Sequence, residues 1–265
     1  MPPPPLPPHR PTLWEAWSPG QLTLYALLLL GANVFWQVVV YDLTGSAFAP
    51  VAAAGLLAVV LPCAGVAWWH GQSLAATFDL RSTRTWLTLG LGAGLLAWLP
   101  ASVLADVSSR LRPAGPEYLE FLQQHLPTTL FGTALAFLAA GVIAPLAEEL
   151  VFRGLLYRAA RQRWGPLEAA ALTSLFFAIA HWEPWSLFGL VGLGVLLCWL
   201  YERTGSLLVP MLAHGAHNVL SLALMLRWRD QLGDDTAAGP AAWLGAAACA
   251  GLLILWIRRA TAAPR

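Results

Sequence analysis

The sequence predicts an all-α fold, a polytopic membrane bundle of about eight transmembrane helices, on three observations. Of its 265 residues 58% are hydrophobic and only 11% charged, where a soluble domain carries about 25% charged residues. The shortage runs along the whole chain, in apolar stretches near the ~20 residues that cross a hydrocarbon core. Several of the 14 tryptophans, among them Trp36, Trp68, Trp69, Trp182, Trp185 and Trp256, fall near the ends of those stretches, as in interfacial aromatic belts.

The opening MPPPPLPPHRP is too rich in proline for helix or sheet, so residues 1–20 read as an extended, mobile tail. It lacks the charged lead and small-residue cleavage site of a secretory signal, which makes the first apolar run a retained span. Candidate spans follow at 21–41, 47–69, 86–105, 127–147, 167–182, 185–201, 206–226 and 241–257. Spans five and six are short and meet at HWEPW, a tight proline-containing turn. The glycine groups LGLGAGLL and GLVGLG let helices approach closely. The longest polar connection is VSSRLRPAGPEYLEFLQQH, whose second half is expected as a helix on the outer surface. No internal repeat or composition shift marks a second domain, so residues 21–258 form one transmembrane unit and 259–265 a short tail.

Charge orients the bundle. With the N-terminus inside, the inner segments hold Arg10, Arg81, Arg84, Arg153, Arg158, Arg161, Arg163, Arg203, Arg258, Arg259 and Arg265. The outer segments hold only Arg110, Arg112, Arg227 and Arg229, diluted by six acids. The bias places both termini in the cytoplasm. All 15 basic residues are Arg, which with the compact length points to a bacterial plasma membrane. A net charge of +1, without basic clusters interleaved with aromatics, excludes a nucleic-acid partner. Cys63, Cys198 and Cys249 stand alone in apolar runs and read as buried thiols.

Against this background Glu148, Glu149 and Arg153 are out of place. A charge at mid-membrane costs about 2.5–3.5 kcal/mol on insertion scales, so such groups line cavities or pair. Pro145 is expected to break the run, because an uninterrupted helix from 127 to 163 would be about 55 Å long. Glu149 and Arg153, spaced i,i+4, pair on one face. Glu148 is rotated by about 100° and is left free, as the candidate for chemistry. If the cytoplasmic turn is RWGPL, centred on Gly165, then Glu148 lies 17 residues before it and His181 16 after it, at similar depth. His214 enters from the same side, and Asn218 follows one helical turn later on its face. Four polar side chains thus converge in the cytoplasmic half of the bilayer. His217 points off that face and reads as structural or lining.

These residues resemble a known pattern. EELVFR (Glu148, Glu149, Arg153), FAIAH (Phe177 to His181) and HGAHN (His214 to Asn218) match, in order, the EExxxR, FxxxH and HxxxN motifs of the CPBP family of intramembrane proteases, the CAAX-protease and bacteriocin-processing or Abi family. The resemblance covers about 127–224. It implies hydrolysis of a peptide bond in a membrane-associated or lipidated peptide or protein. Glu148, aided by His181, would activate water; His214 and Asn218 would donate to the oxyanion; Glu149 and Arg153 would support the motif helix. The chemistry is consistent, since amide hydrolysis needs a base, a polarised carbonyl and a proton source. Metal dependence stays open. Glu148, His181 and His214 would also suit Zn²⁺, yet the same residues suffice without a metal.

Other hydrolase patterns are missing. There is no HExxH and no Gly-x-Ser-x-Gly, Ser174 is badly phased against His181, and every aspartate lies in a loop or at a span end. Two further classes remain as alternatives: a catalytically silent scaffold or immunity-type protein whose polar cluster fastens the bundle, and a proton-coupled transporter, which would call for repeated halves that are not found.

Overall fold

The computed structural model describes residues 11–231 and 238–262. The secondary structure of the described residues is all helical, without strands. In chain order they form α1 (Leu13–Ala16), α2 (Pro19–Thr44), α3 (Phe48–Trp69), α4 (Leu74–Thr77), α5 (Arg84–Leu111), α6 (Pro116–His125), α7 (Leu130–Arg161), α8 (Pro166–Ala180), α9 (Leu187–Thr204), α10 (Leu208–Arg227) and α11 (Pro240–Ala260). A 3₁₀ turn, Pro184–Ser186, leads into α9. Seven of these helices are long and apolar enough to cross a membrane, α9 counted with that turn. The remaining expected span, 167–182, is α8, which has 15 residues, about 22 Å at 1.5 Å per residue, short of a ~30 Å hydrocarbon core.

Two expectations are corrected. Pro145 does not break the fourth span: α7 runs on for 32 residues, about 48 Å. A π-helical stretch, Ala139–Ile143, lies immediately before it, and a second, Leu150–Tyr157, follows Glu149. The widened turn absorbs the hydrogen bond that proline cannot donate. The excess length ends in a polar network, where Arg158 Nη2 meets Asp79 Oδ2 at 2.6 Å and Arg161 Nε meets Glu202 Oε1 at 2.6 Å. The second correction concerns the expected tail at 1–20. Residues 1–10, with Arg10, lie outside the described residues, as do Asp234, Asp235 and Arg265, but from Pro11 onward the segment is docked. Leu13 is fully buried, Trp14 Nε1 donates to the Thr77 carbonyl at 3.0 Å, and the Trp14 ring stands edge-on to Phe78. Apolar side chains among the prolines, not the prolines themselves, decide where this segment lies.

The connection between α5 and α7 forms α6, the helix expected in its second half, and it is tied to the α8–α9 turn. Tyr118 donates to Glu183 Oε1 at 3.0 Å, and its ring centroid lies 4.4 Å from that of Trp185. Burial, reinforced by the Glu183 carboxylate, raises the Tyr118 pKa well above the ordinary phenol range, so the hydroxyl stays a donor.

The glycine groups bring α5 against α10 and α9. A Cβ built on Gly94 would lie 2.0 Å from the Ala213 carbonyl oxygen, and one on Gly189 would lie 2.5 Å from that of Ala101. Backbone atoms cannot yield as a side-chain end can. Gly94→Ala is therefore expected to destabilise the bundle by about 1–3 kcal/mol, the usual cost of overpacking. Thermal unfolding in detergent checks this, and an unchanged midpoint would contradict it. Because Ala213 adjoins His214, this contact also sets the position of α10 beside the polar centre.

Candidate active site

Three helices bring the motif residues together. α7 supplies Glu148, Glu149 and Arg153, the C-cap of α8 supplies His181, and α10 supplies His214 and Asn218. The deepest layer is an ion-paired cluster. Arg153 Nη1 donates to Glu149 Oε1 at 2.7 Å, and both side chains are almost wholly buried. Arg153 Nη2 donates to the Gly194 carbonyl at 3.1 Å, and the guanidinium lies 4.6 Å from the centroid of the Phe177 ring. A buried charge needs several such partners to offset its lost hydration.

Glu149 has a second partner that the i,i+4 spacing could not reveal. His214 Nδ1 lies 2.9 Å from its Oε1. A carboxylate only accepts, so this nitrogen carries hydrogen and Nε2 faces the other way. His181 is fixed by the same logic: its Nδ1 lies 2.7 Å from the Phe177 carbonyl oxygen and donates to it. Its Nε2 is thereby left as an acceptor. Phe177 separates the two imidazoles, with ring centroids 4.5 Å from His181 and 5.6 Å from His214. The phenylalanine of FxxxH thus supports Arg153 on its face and spaces both histidines.

Glu148 is the member without a direct partner. Its side chain is 30% exposed, and Oε2 lies 3.7 Å from His181 Nε2 and 3.8 Å from His214 Nε2. Oε2 is nonetheless buried without a hydrogen bond. Those separations exceed a hydrogen bond, so the carboxylate faces both imidazoles without a direct bond to either. Glu148 also borders a cavity of about 40 Å³ whose other walls include Asn33, Gln37, Gly55 and Val59.

Among the described residues Asn218 has no hydrogen bond to this group. Its Nδ2 donates to the Ala140 carbonyl, 3.0 Å away, in the first π-helical stretch of α7. It lies one turn beyond His214 with its second amide hydrogen uncommitted. His217 is partly buried, and its Nδ1 has no partner. Sequence reasoning missed Asn33 and Gln37, although two amides spaced i,i+4 in an apolar span were a visible signal.

In the set left open for Zn²⁺, Glu148 Oε2 lies 3.7 Å from His181 Nε2 and 3.8 Å from His214 Nε2. Donors sharing one tetrahedral Zn²⁺ at 2.0–2.2 Å lie roughly 3.3–3.6 Å apart, slightly closer than the pairs here. Among the described residues no group of three or more His, Cys, Asp or Glu side chains could hold a metal ion.

Fold and site together define a multi-pass membrane protein with a carboxylate–imidazole centre inside an apolar bundle. Residues 130–220 match the family described as "Type II CAAX prenyl endopeptidase Rce1-like". That span contains all three motifs that carry the CPBP resemblance.

Three curated relatives are similar to part of the chain. A Bacillus subtilis (strain 168) protein named "Putative membrane peptidase YdiL" is 26% identical over 92 residues, 35% of this chain and 38% of the relative. An Escherichia coli protein named "Uncharacterized 24.3 kDa protein" is 36% identical over 93 residues, 33% of this chain and 43% of its own length. The Lactococcus lactis subsp. lactis (strain IL1403) protein "UPF0177 protein YbdI" is 27% identical over 153 residues, 55% of this chain and 78% of its own. The chain thus spans less than half the length of the first two. No solved structure matches.

Proposed function

We propose that the protein is an intramembrane endopeptidase in which Glu148 acts as general base toward a water held between it and His181. One observation carries the reading: a carboxylate oxygen buried without a partner, within 3.7–3.8 Å of two imidazole Nε2 atoms. In the reaction Glu148 takes a proton from the water as its oxygen attacks the scissile carbonyl carbon. The carbonyl π pair moves onto oxygen, and the tetrahedral oxyanion accepts hydrogen bonds from His214 Nε2–H and the Asn218 amide. Glu148 then returns the proton to the departing amine as the C–N bond breaks.

The donor role requires His214 with hydrogen on both nitrogens. Glu149 then orients His214 as well as Arg153. The family match supports a membrane-associated substrate with a prenylated CaaX end, and the charge bias supports a plasma-membrane protein with both termini in the cytoplasm.

The test uses purified protein in liposomes and a quenched peptide ending in a farnesylated CaaX sequence, beside its unprenylated twin. Cleavage favouring the farnesylated probe is expected. Asn218→Ala is expected to lower kcat about 10²–10³-fold, the effect of losing one oxyanion donor, with KM changed only a few-fold. An undiminished kcat removes Asn218 from the oxyanion site. Failure to cleave either probe removes the CaaX reading.

A further inference from the structure

The pair Asn33 and Gln37 has no structural task that accounts for it. From Ala26 to Val40 helix α2 is apolar except for these two amides. They lie one turn apart and line the Glu148 cavity. Gln37 Nε2 donates to Asn33 Oδ1 at 2.5 Å, and among the described residues the pair has no other hydrogen-bond partner. Two N–H groups of Asn33, one of Gln37 and the Gln37 carbonyl oxygen are left for something else. Carrying amides on a span without satisfying them is costly, so an unfilled set beside the polar centre calls for a ligand.

We propose that Asn33 and Gln37 bind the backbone of the substrate peptide and hold it extended across Glu148, which makes them substrate-positioning residues. The inference rests on the protease reading above. Attack on a peptide bond requires a segment out of helical conformation, and its freed N–H and C=O groups find no water in the bilayer core. The opposite wall of the cavity supplies both donors and an acceptor. The spacing also fits. Four residues of helix rise about 6 Å, close to the 6.4–6.8 Å over which an extended chain repeats a face. Asn33 and Gln37 can therefore address successive peptide groups on one edge of the substrate.

The cavity, about 40 Å³, is near the ~30 Å³ share of one water in the liquid, so peptide entry requires α2 to yield. Only 11% of the most apolar window of α2 is buried, against 17–39% for the other six spans. Displacing α2 from α7 therefore disrupts the least packing of any wall.

The test uses Asn33→Leu, Gln37→Leu and the double variant in liposomes with the farnesylated quenched peptide. Leucine suits an apolar helix, and an unchanged thermal midpoint shows that folding is intact. Each single change is expected to raise KM about 2–10-fold, the worth of one hydrogen bond, and the double variant more, with kcat nearly constant. Peptides carrying single backbone esters within three residues of the scissile bond supply a second readout. At least one ester, lacking an N–H, is expected to weaken cleavage by the wild-type protein but not by the double variant. A KM within twofold of wild type in the double variant, or equal ester effects in both proteins, overturns the assignment and leaves the protease standing. Absence of any Glu148-dependent cleavage overturns both.

Discussion

Glu148→Ala is expected to reduce kcat by about 10⁴-fold, the upper end of the range for a positioned general base, while leaving the folded bundle at least as stable. Both halves follow from the same geometry. The carboxylate faces His181 and His214 at 3.7 and 3.8 Å, and Oε2 has no hydrogen-bond partner to lose. Removing an unpaired, partly buried carboxylate relieves a desolvation cost instead of breaking a contact. The measurement is turnover of the farnesylated peptide by purified protein, paired with thermal unfolding of the same sample. A silent scaffold predicts the reverse, with stability lowered and biological activity spared. Retained turnover in Glu148→Ala would defeat the assignment.

Arg153→Met is expected to give the largest loss of stability, about 3–5 kcal/mol, the usual result of removing one partner from a buried ion pair. Glu149 is fully buried and would keep only His214 as partner. The change also deletes the bond to the Gly194 carbonyl and the contact with the Phe177 ring, one tie of α7 to α9 and one to α8. Adding Glu149→Gln, which removes the stranded charge, is expected to recover part of the loss. Thermal unfolding of the three variants checks the order, and Arg153→Met unfolding like wild type would show that the pair contributes nothing.

The sequence made the spans and the chemistry legible because each rests on local signals. Apolar runs near 20 residues mark helices whatever their packing, and acids or imidazoles in such runs stand out. The partition between Glu148 and Glu149 follows from helical angle alone, and the 2.7 Å contact to Arg153 agrees with it.

What stayed hidden depends on backbone irregularity or on contacts between distant segments. Proline normally ends a helix, but the π-helical turn ahead of Pro145 removes the conflict, and no residue pattern announced that turn. The same stretch presents the Ala140 carbonyl that captures Asn218, which helical phasing placed directly with His214. The bond from Glu149 to His214 joins residues 65 apart in the chain, beyond the reach of spacing arguments. Docking of Leu13 and Trp14 was masked by the prolines around them. The tie between Tyr118 and Glu183 was equally invisible, because neither residue falls in a motif.

The central claim, that Glu148 activates water and does not itself attack, is tested most directly by oxygen labelling in a single turnover. With enzyme in excess over peptide in ¹⁸O-water, direct attack places ¹⁸O in the new carboxylate during the first turnover. Attack by Glu148 through a mixed anhydride with the peptide would instead allow unlabelled oxygen from the enzyme into that first product. The geometry described here predicts labelled product. Unlabelled first-turnover product would contradict it.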